Sequence, residues 1–123
     1  MKIIVMKFGG TSVAKINRIK NVASIIKNNF KKYKLVVVLS AMAGITNDLQ
    51  KLIEEVNFPL SQENDLVITS GEQVTIGLLS MLLNKMNIKS IPLLGWQVPI
   101  ITDSSYEKAK ILYINNKNII NYL

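Results

Sequence analysis

The sequence predicts an α/β protein in which a mainly parallel sheet is sandwiched by helices and is incomplete at the C-terminus. Two continuous apolar runs, Ile3–Met6 and Leu35–Leu39, are typical of strands buried within a sheet. Segments with helical spacing of apolar residues follow both runs, and alternating strands and helices indicate parallel strands. The 123 residues suffice for one domain with a hydrophobic core.

The first strand and helix occupy the N-terminal part of the chain. The strand is expected over Ile3–Phe8. Ser12 is a residue type that favours the N-cap position, so we expect it to open a helix that ends near Asn28 or Asn29. The apolar residues at helical spacing in that segment are Val13, Ile16, Ile19, Val22, Ala23 and Ile26.

The second strand and helix follow the same order. The strand over Leu35–Leu39 leads into a loop of small residues, Ser40–Gly44. Thr46 or Asn47 is expected to cap the helix after this loop. Phe58-Pro59-Leu60 is expected to end it, because proline cannot continue a helix.

A third helix is expected to begin in the middle of the chain. The run Leu66–Thr69 fits either a short strand or the end of a helix. Ser70 and Gln73 have the spacing of a capping box, which predicts a helix from Ser70 to about Met86. This helix is apolar on most sides, so we expect it to be deeply buried.

The last third of the chain predicts short strands and one more helix. Ser90–Leu94 and Lys108–Ile114 are expected to be strands, and Ile100–Asp103 a short edge element. Asn115 or Asn116 is expected to cap a final helix. No strand follows that helix in the sequence, so the sheet is expected to be unfinished.

Composition excludes several classes of function. The chain has no cysteine and no histidine, which rules out disulfides, thiolate metal sites and a Ser-His-Asp triad. The net charge of +7 is spread along the chain and is not interleaved with aromatic residues, so we expect no nucleic-acid partner. No run is long enough to span a membrane and no signal peptide is recognisable, which predicts a cytoplasmic protein.

Three polar segments are expected to meet at one edge of the sheet, where parallel strands end. They are Lys7–Ser12, Ser40–Asn47 and Thr69–Glu72. In the first segment, glycines allow close backbone approach, amides can bind an anion, and lysine supplies a point charge for phosphate. Together the segments offer one cation, several hydroxyls and one carboxylate, which suits a polar anionic substrate beside a phosphate.

Each of these signals also has a purely structural explanation. A Gly-Gly turn after a strand is common, and Glu72 in the first turn of a helix would complement the helix dipole. Ser40 could simply terminate a strand. The phosphate-binding pattern G-x-x-x-x-G-K-[ST] and the dinucleotide pattern G-x-G-x-x-G are both absent.

The order of the motifs resembles one family. The run Lys7-Phe8-Gly9-Gly10-Thr11-Ser12-Val13 is similar to the opening motif of aspartate kinases, which have the amino-acid kinase (carbamate kinase-like) fold. Further segments agree with that family in order and spacing. They are Val36–Met42 with Thr46-Asn47, Ser70-Gly71-Glu72-Gln73, and Gly95-Trp96-Gln97 followed by Ile101-Thr102-Asp103.

This resemblance implies an activity and a role for each site residue. The activity is ATP-dependent phosphorylation of the L-aspartate β-carboxylate to 4-phospho-L-aspartate, with Mg²⁺, at the start of lysine, threonine and methionine synthesis. Lys7 is the implied catalytic residue. The implied phosphate and nucleotide ligands are Lys7, Gly9, Gly10, Thr11 and Ser12, and the implied aspartate ligands are Ser40, Thr46 and Glu72. No residue is implied as a metal ligand.

The resemblance also implies that parts of the enzyme are missing. Residues 1–123 correspond to the N-terminal, amino-acid-binding part of an aspartate kinase, without the nucleotide-binding half or the regulatory domains. We therefore expect the chain alone to be inactive or nearly so, as a truncated gene product, one half of a split gene or an expressed fragment. The alternative is a non-catalytic module that binds aspartate, forms a homodimer or pairs with a complementary chain.

Overall fold

The first two strands form a parallel pair in the computed structural model, which describes residues 1–123. Strand β1 (Ile3–Phe8) lies beside β2 (Lys34–Leu39), with Ile3 opposite Lys34 and Phe8 opposite Leu39. Helix α1 (Ile16–Asn29) connects them. The sequence-based prediction of a strand–helix–strand unit with parallel strands is therefore confirmed.

The start of α1 differs from the prediction that Ser12 would be its N-cap. A short 3₁₀ turn, Gly10–Val13, follows β1, and the Ser12 amide donates a 2.9 Å hydrogen bond to the Gly9 carbonyl inside this turn. Lys15 has the extended backbone of an N-cap residue, with φ of −144° and ψ of 162°. Ser12 cannot cap α1 because it belongs to the turn that precedes the helix.

Helix α2 (Ile45–Val56), in contrast, begins earlier than expected. Its N-cap is Gly44, whose φ of 85° lies in the left-handed region that glycine adopts easily, so the prediction of a cap at Thr46 or Asn47 is wrong. Both residues lie in the first turn instead. The helix ends at Val56 with Asn57 at its C-cap position, as the proline at position 59 predicts.

Helix α3 (Gln62–Lys85) is longer than predicted and passes through the expected boundary. Ser70 is not its N-cap, because the Ser70 hydroxyl donates a 2.6 Å hydrogen bond to the Val67 carbonyl within the helix. Ser61 is the N-cap residue. The run Leu66–Thr69, which fitted a strand or a helix end, is therefore helical.

Length and mean hydropathy (1.5) alone would allow α3 to cross a membrane. It packs against both α1 and α2, but Leu66, Val74 and Met81 are 66%, 56% and 68% exposed, so the prediction that the helix is deeply buried is wrong. Asn64, Thr75 and Ser80 are buried on it, and each forms a hydrogen bond within the protein.

The C-terminal third forms a separate antiparallel pair. Strand β3 (Ile100–Thr102) pairs with β4 (Ile111–Ile114), and α4 (Lys117–Tyr122) follows with Asn116 at its N-cap position. The predicted strand Ser90–Leu94 is wrong, since the segment pairs with no strand and Pro92 offers no amide to a ladder. The parallel part of the sheet therefore consists of β1 and β2.

One face of the β1–β2 pair covers the core. The core cluster consists of Val13, Ile19, Val22, Ala23, Ile26, Leu79, Leu83 and Ile88, and Phe8, Leu35, Val37 and Leu39 pack against it. On the opposite face Ile3, Val5 and Val38 are 44%, 64% and 44% exposed. The α/β class is confirmed, and within this chain helices cover the sheet on one side.

The loop between β3 and β4 provides a pH prediction. The Ser105 amide donates to Asp103 Oδ1 at 2.9 Å and the Lys110 amide to Oδ2 at 3.3 Å. These bonds hold the pKa of the Asp103 carboxyl below its ordinary value, and the bond from the Ser105 amide has the largest effect. Because the folded-state pKa is lowered, the ionised Asp103 carboxylate stabilises the folded protein. This stabilisation is fully present above the unfolded-state pKa of about 3.9 and is lost as pH falls through the folded-state pKa.

We therefore expect the Ser105 and Lys110 amides to lose hydrogen-exchange protection when the solution is acidified through that range. Asp103→Asn should weaken the protection at neutral pH, because an amide side chain offers one acceptor oxygen instead of two. Proton–nitrogen NMR spectra recorded over a pH series measure both effects. Amide resonances of Ser105 that do not move with pH would contradict the role given to Asp103.

Candidate functional site

The first two predicted site segments are in direct contact at the carboxyl ends of β1 and β2. The Ser40 amide donates a 3.1 Å hydrogen bond to the Phe8 carbonyl, which continues the pairing of the two strands into the loops. A Cβ atom at Gly10 would lie 3.3 Å from the Ala41 carbonyl oxygen. A glycine at position 10 thus allows the two loops to approach closely.

The third segment reaches the same place from α3. The Ala41 amide donates a 3.3 Å hydrogen bond to Oε1 of Glu72, which lies 31 residues further along the chain. The sequence therefore predicted correctly that three segments come together, although the third is the middle of a helix and not a loop. Ala41, only 4% exposed, is the residue through which all three are connected.

The first segment presents a positive and hydrogen-bond-donating surface. Lys7 is exposed near the end of β1 and forms no salt bridge. The amides of Gly9, Gly10 and Thr11 donate to no backbone or side-chain acceptor, whereas the Ser12 amide is bonded to Gly9. A Cβ at Gly9 would meet nothing within 4 Å, so this side of the turn is open. Free amides beside a lysine fit a phosphate group.

The second segment presents hydroxyl groups and a helix N-terminus. Ser40 is half-buried, Thr46 is exposed in the first turn of α2, and neither hydroxyl is hydrogen-bonded within the chain. The Thr46 and Asn47 amides also have no acceptor, as is usual for the first turn of a helix. These groups suit a carboxylate, because the N-terminal end of a helix favours negative charge.

Glu72 supplies the negative charge of the site. Its side chain is half-buried, and its hydrogen bond to the Ala41 amide is the one it makes within the protein. A carboxylate beside segments that present free amides and hydroxyls can receive an ammonium group. An α-amino acid carries both charges, and this arrangement therefore suits a small zwitterionic substrate next to a phosphate.

The protein offers no pre-built metal site. No group of three or more histidine, cysteine, aspartate or glutamate residues is arranged to hold an ion. Magnesium is commonly held by one or two carboxylates together with substrate phosphates, which does not require such a group. The free amides and Lys7 are the groups able to hold the phosphates.

A large apolar cleft lies next to the polar site. Its volume is about 1010 Å³, and 22 of its 32 lining residues are hydrophobic. Every residue of β2 contributes to its wall, opposite Leu79 and Leu83 of α3 and the segment 88–96. Glu72 and Thr69 also line it, so the cleft reaches the polar site. Lys7 and the glycine turn do not line it.

Two residues of the site were missed by the sequence analysis. Ala41 offers no functional side chain, and Gly71 was interpreted as part of a helix start. The available signal was the glycine at position 71 itself. A glycine inside a helix destabilises the helix and usually indicates close packing. Recognising that signal would have required knowing that α3 continues through Ser70.

Comparisons with known proteins agree with this arrangement. Residues 2–123 match the model of the amino acid kinase family. The chain is 47% identical over 127 residues to an aspartate kinase of Pseudomonas fluorescens, covering 97% of the chain and 30% of the relative. It is 44% identical over 128 residues to an aspartokinase of Rickettsia felis, covering 100% of the chain and 32% of the relative.

Solved structures show the same similarity. The crystal structure of aspartate kinase from Synechocystis superposes with a TM-score of 0.69 at 42% identity, over 72% of this chain and 16% of that one. E. coli aspartokinase III in complex with aspartate and ADP has a TM-score of 0.73 at 20% identity, over 90% of this chain and 35% of that one, and supports the fold. The chain thus spans about a third or less of these relatives. It belongs to the amino acid kinase family.

Proposed function

We propose that this chain is the amino-acid-binding part of an aspartate kinase, which transfers the γ-phosphoryl group of ATP to the β-carboxylate of L-aspartate. The identity of 42–47% to proteins named aspartate kinase or aspartokinase, over nearly the whole chain, is the observation that carries the proposal. The geometry supports it, because a carboxylate, a helix N-terminus and free amides suit an acidic amino acid beside a phosphate.

The proposed reaction needs no protein nucleophile. A β-carboxylate oxygen of aspartate forms a bond to the γ-phosphorus while the bond from phosphorus to the leaving ADP oxygen breaks, giving 4-phospho-L-aspartate. The carboxylate is already ionised at neutral pH, so no base has to remove a proton. The absence of histidine from the sequence is compatible with this chemistry.

Each site residue has a role in this proposal. Lys7 and the amides of Gly9 and Gly10 stabilise the charge on the transferring phosphoryl group, and Thr11 and Ser12 lie beside the phosphates. Ser40 and Thr46 bind the aspartate carboxylates, while Glu72 pairs with the α-ammonium. Mg²⁺ would be held mainly by the phosphates of ATP.

We further propose that the chain alone is inactive or nearly so. Lys7, Thr11 and Thr46 are exposed, so the proposed reaction centre is open to water. Phosphoryl transfer depends on electrostatic groups in a water-excluded site. In this proposal the nucleotide pocket and the regulatory domains lie in polypeptide outside residues 1–123, and the complete enzyme is cytoplasmic.

The second candidate function is a non-catalytic module that binds aspartate or a complementary chain, and two surfaces favour it. The face of the β1–β2 pair that carries Ile3, Val5 and Val38 is apolar and exposed. The cleft beside β2 is also apolar. Surfaces of this kind are typical of association, either with a complementary polypeptide or within a homodimer.

The test is aspartyl phosphate formation, trapped as the hydroxamate, by the purified chain with Mg-ATP and L-aspartate. We expect no turnover from the chain alone, and turnover after addition of the remaining part of the P. fluorescens enzyme. Turnover by the chain alone would contradict the proposed inactivity. Aspartate binding without turnover under either condition would favour the non-catalytic alternative, and the absence of both would contradict the proposed substrate.

A further inference from the structure

Gly71 lies where α3 touches the second site segment. It is buried near the middle of the 24-residue helix. A Cβ at this position would lie 2.9 Å from the Ala41 Cβ and 3.2 Å from Ile45 Cγ2, and also 3.5 Å from Leu49 Cδ1. The first distance is shorter than two carbon atoms tolerate without displacement. Any side chain at position 71 would therefore push the loop and the start of α2 away from α3.

A second glycine in the same helix has the opposite surroundings. A Cβ at Gly77 would meet nothing within 4 Å. The two glycines therefore differ in packing, although both reduce the intrinsic stability of the helix to a similar extent. The close contact at Gly71 explains why a glycine lies at that position, and no such contact exists at Gly77.

The residue that Gly71 touches, Ala41, is also the hydrogen-bond donor to Glu72, the next residue in the chain. The Ala41 amide donates to Oε1 of Glu72 at 3.3 Å, near the long limit for such a bond. A displacement of Ala41 by a few tenths of an ångström would weaken or break it. The Ala41 carbonyl also faces Gly10, so the same displacement would reach the first site segment.

We propose that Gly71 is a positioning residue for the amino-acid site. By lacking a side chain it lets Ala41 sit on α3, and the Ala41 amide then holds one carboxylate oxygen of Glu72. The other oxygen of Glu72 is left to pair with the ammonium group of the substrate. The pairing with a substrate ammonium group rests on the proposed function. The position of the Glu72 carboxylate rests on the contacts described above.

The experiment compares three variants of the 123-residue chain with the unmodified protein. Gly71→Ala introduces the close contact, and Gly77→Ala is the matched control in the same helix. Gly71→Ala with Ala41→Gly removes the Ala41 Cβ, which the new methyl group would meet at 2.9 Å, and leaves the 3.2 Å contact with Ile45 Cγ2. Amide hydrogen exchange and the proton chemical shift of residue 41 report its bond to Glu72, and calorimetric titration with L-aspartate gives the Kd.

We expect Gly71→Ala to shift the residue 41 amide resonance, lower its protection, and raise the Kd for aspartate about tenfold or more. Gly77→Ala should leave all three unchanged. The double variant should recover most of the protection and affinity, which a general loss of packing would not allow. If Gly71→Ala does not fold, a double variant that folds and binds aspartate still supports the proposal, because it shows that the Ala41 Cβ was the obstacle.

Two outcomes would overturn the proposal. One is a Gly71→Ala protein whose residue 41 amide and aspartate affinity match those of Gly77→Ala. The other is a double variant with no recovery. If the unmodified chain binds no aspartate, the proposed function fails on that measurement. The amide data on residue 41 then decide whether Gly71 positions Glu72.

Discussion

Lys7→Ala should reduce kcat by about 10²–10³-fold or more, because a preorganised positive charge at the transferring phosphoryl group is lost. The measurement uses a chimeric enzyme in which this chain replaces the matching region of the P. fluorescens aspartate kinase. The KM for aspartate should change little, since Lys7 acts on charge that develops during transfer. Lys7→Arg keeps the charge, and we expect it to retain more activity than Lys7→Ala.

The structure makes Lys7 a clean site for this test. Its side chain is exposed and forms no salt bridge, so its removal should alter stability by less than about 0.5 kcal/mol. Lys2, at the other end of β1, is also exposed, and Lys2→Ala makes the same change in charge. A loss below tenfold for Lys7→Ala, or an equal loss for Lys2→Ala, would contradict the catalytic role of Lys7.

The strands β1 and β2 and the ends of α1, α2 and α3 could be predicted from local pattern, whereas the starts of these three helices could not. The apolar runs of β1 and β2 and the proline after α2 determine the structure of the segments in which they lie. The N-caps depend on the preceding turn. Ser12 is used by the turn that begins at Gly9, and Gly44 takes the position expected for Thr46. Capping propensity alone does not reveal which residue a turn has already used.

Two further errors have a cause that is not local. Ser70 and Gln73 indicated a helix start by their capping-box spacing, yet α3 continues through them, and the glycine at position 71 is explained by its contact with Ala41, 30 residues earlier in the chain. Ser90–Leu94 has the composition of a strand and lacks a paired neighbour. In both cases the structure depends on whether a distant segment makes a contact. The periodicity of the local sequence does not reveal this.

The proximity of the first two site segments was predictable from topology. Parallel strands place the loops that follow them at one edge, so Lys7–Ser12 and Ser40–Asn47 had to be neighbours once β1 and β2 were recognised. The bond between Ala41 and Glu72 was not predictable, because it joins a backbone amide to a helix that was expected to start elsewhere. The roles of the side chains remain predictions, which the Lys7 and Gly71 variants test.

Ile19→Ala should destabilise the chain by about 2–5 kcal/mol, because it leaves a cavity in the centre of the core. Ile19 is fully buried on α1, within the cluster to which Leu79 and Leu83 of α3 also belong. Only 13 of the 123 residues are buried, so we expect a total stability near the low end of the usual range of about 5–15 kcal/mol. A single core cavity should therefore remove a large part of it.

Ile25→Ala is the matched control, since it makes the same substitution in the same helix at a residue that is 43% exposed. We expect it to cost less than about 1 kcal/mol, because it leaves no cavity and alanine favours helix. Urea unfolding followed by circular dichroism gives both free energies of unfolding. Equal losses for the two variants would mean that α1 does not pack its Ile19 face against α3. A much larger loss for Ile19→Ala would mean that folding of the chain depends on the core cluster to which Ile19 belongs.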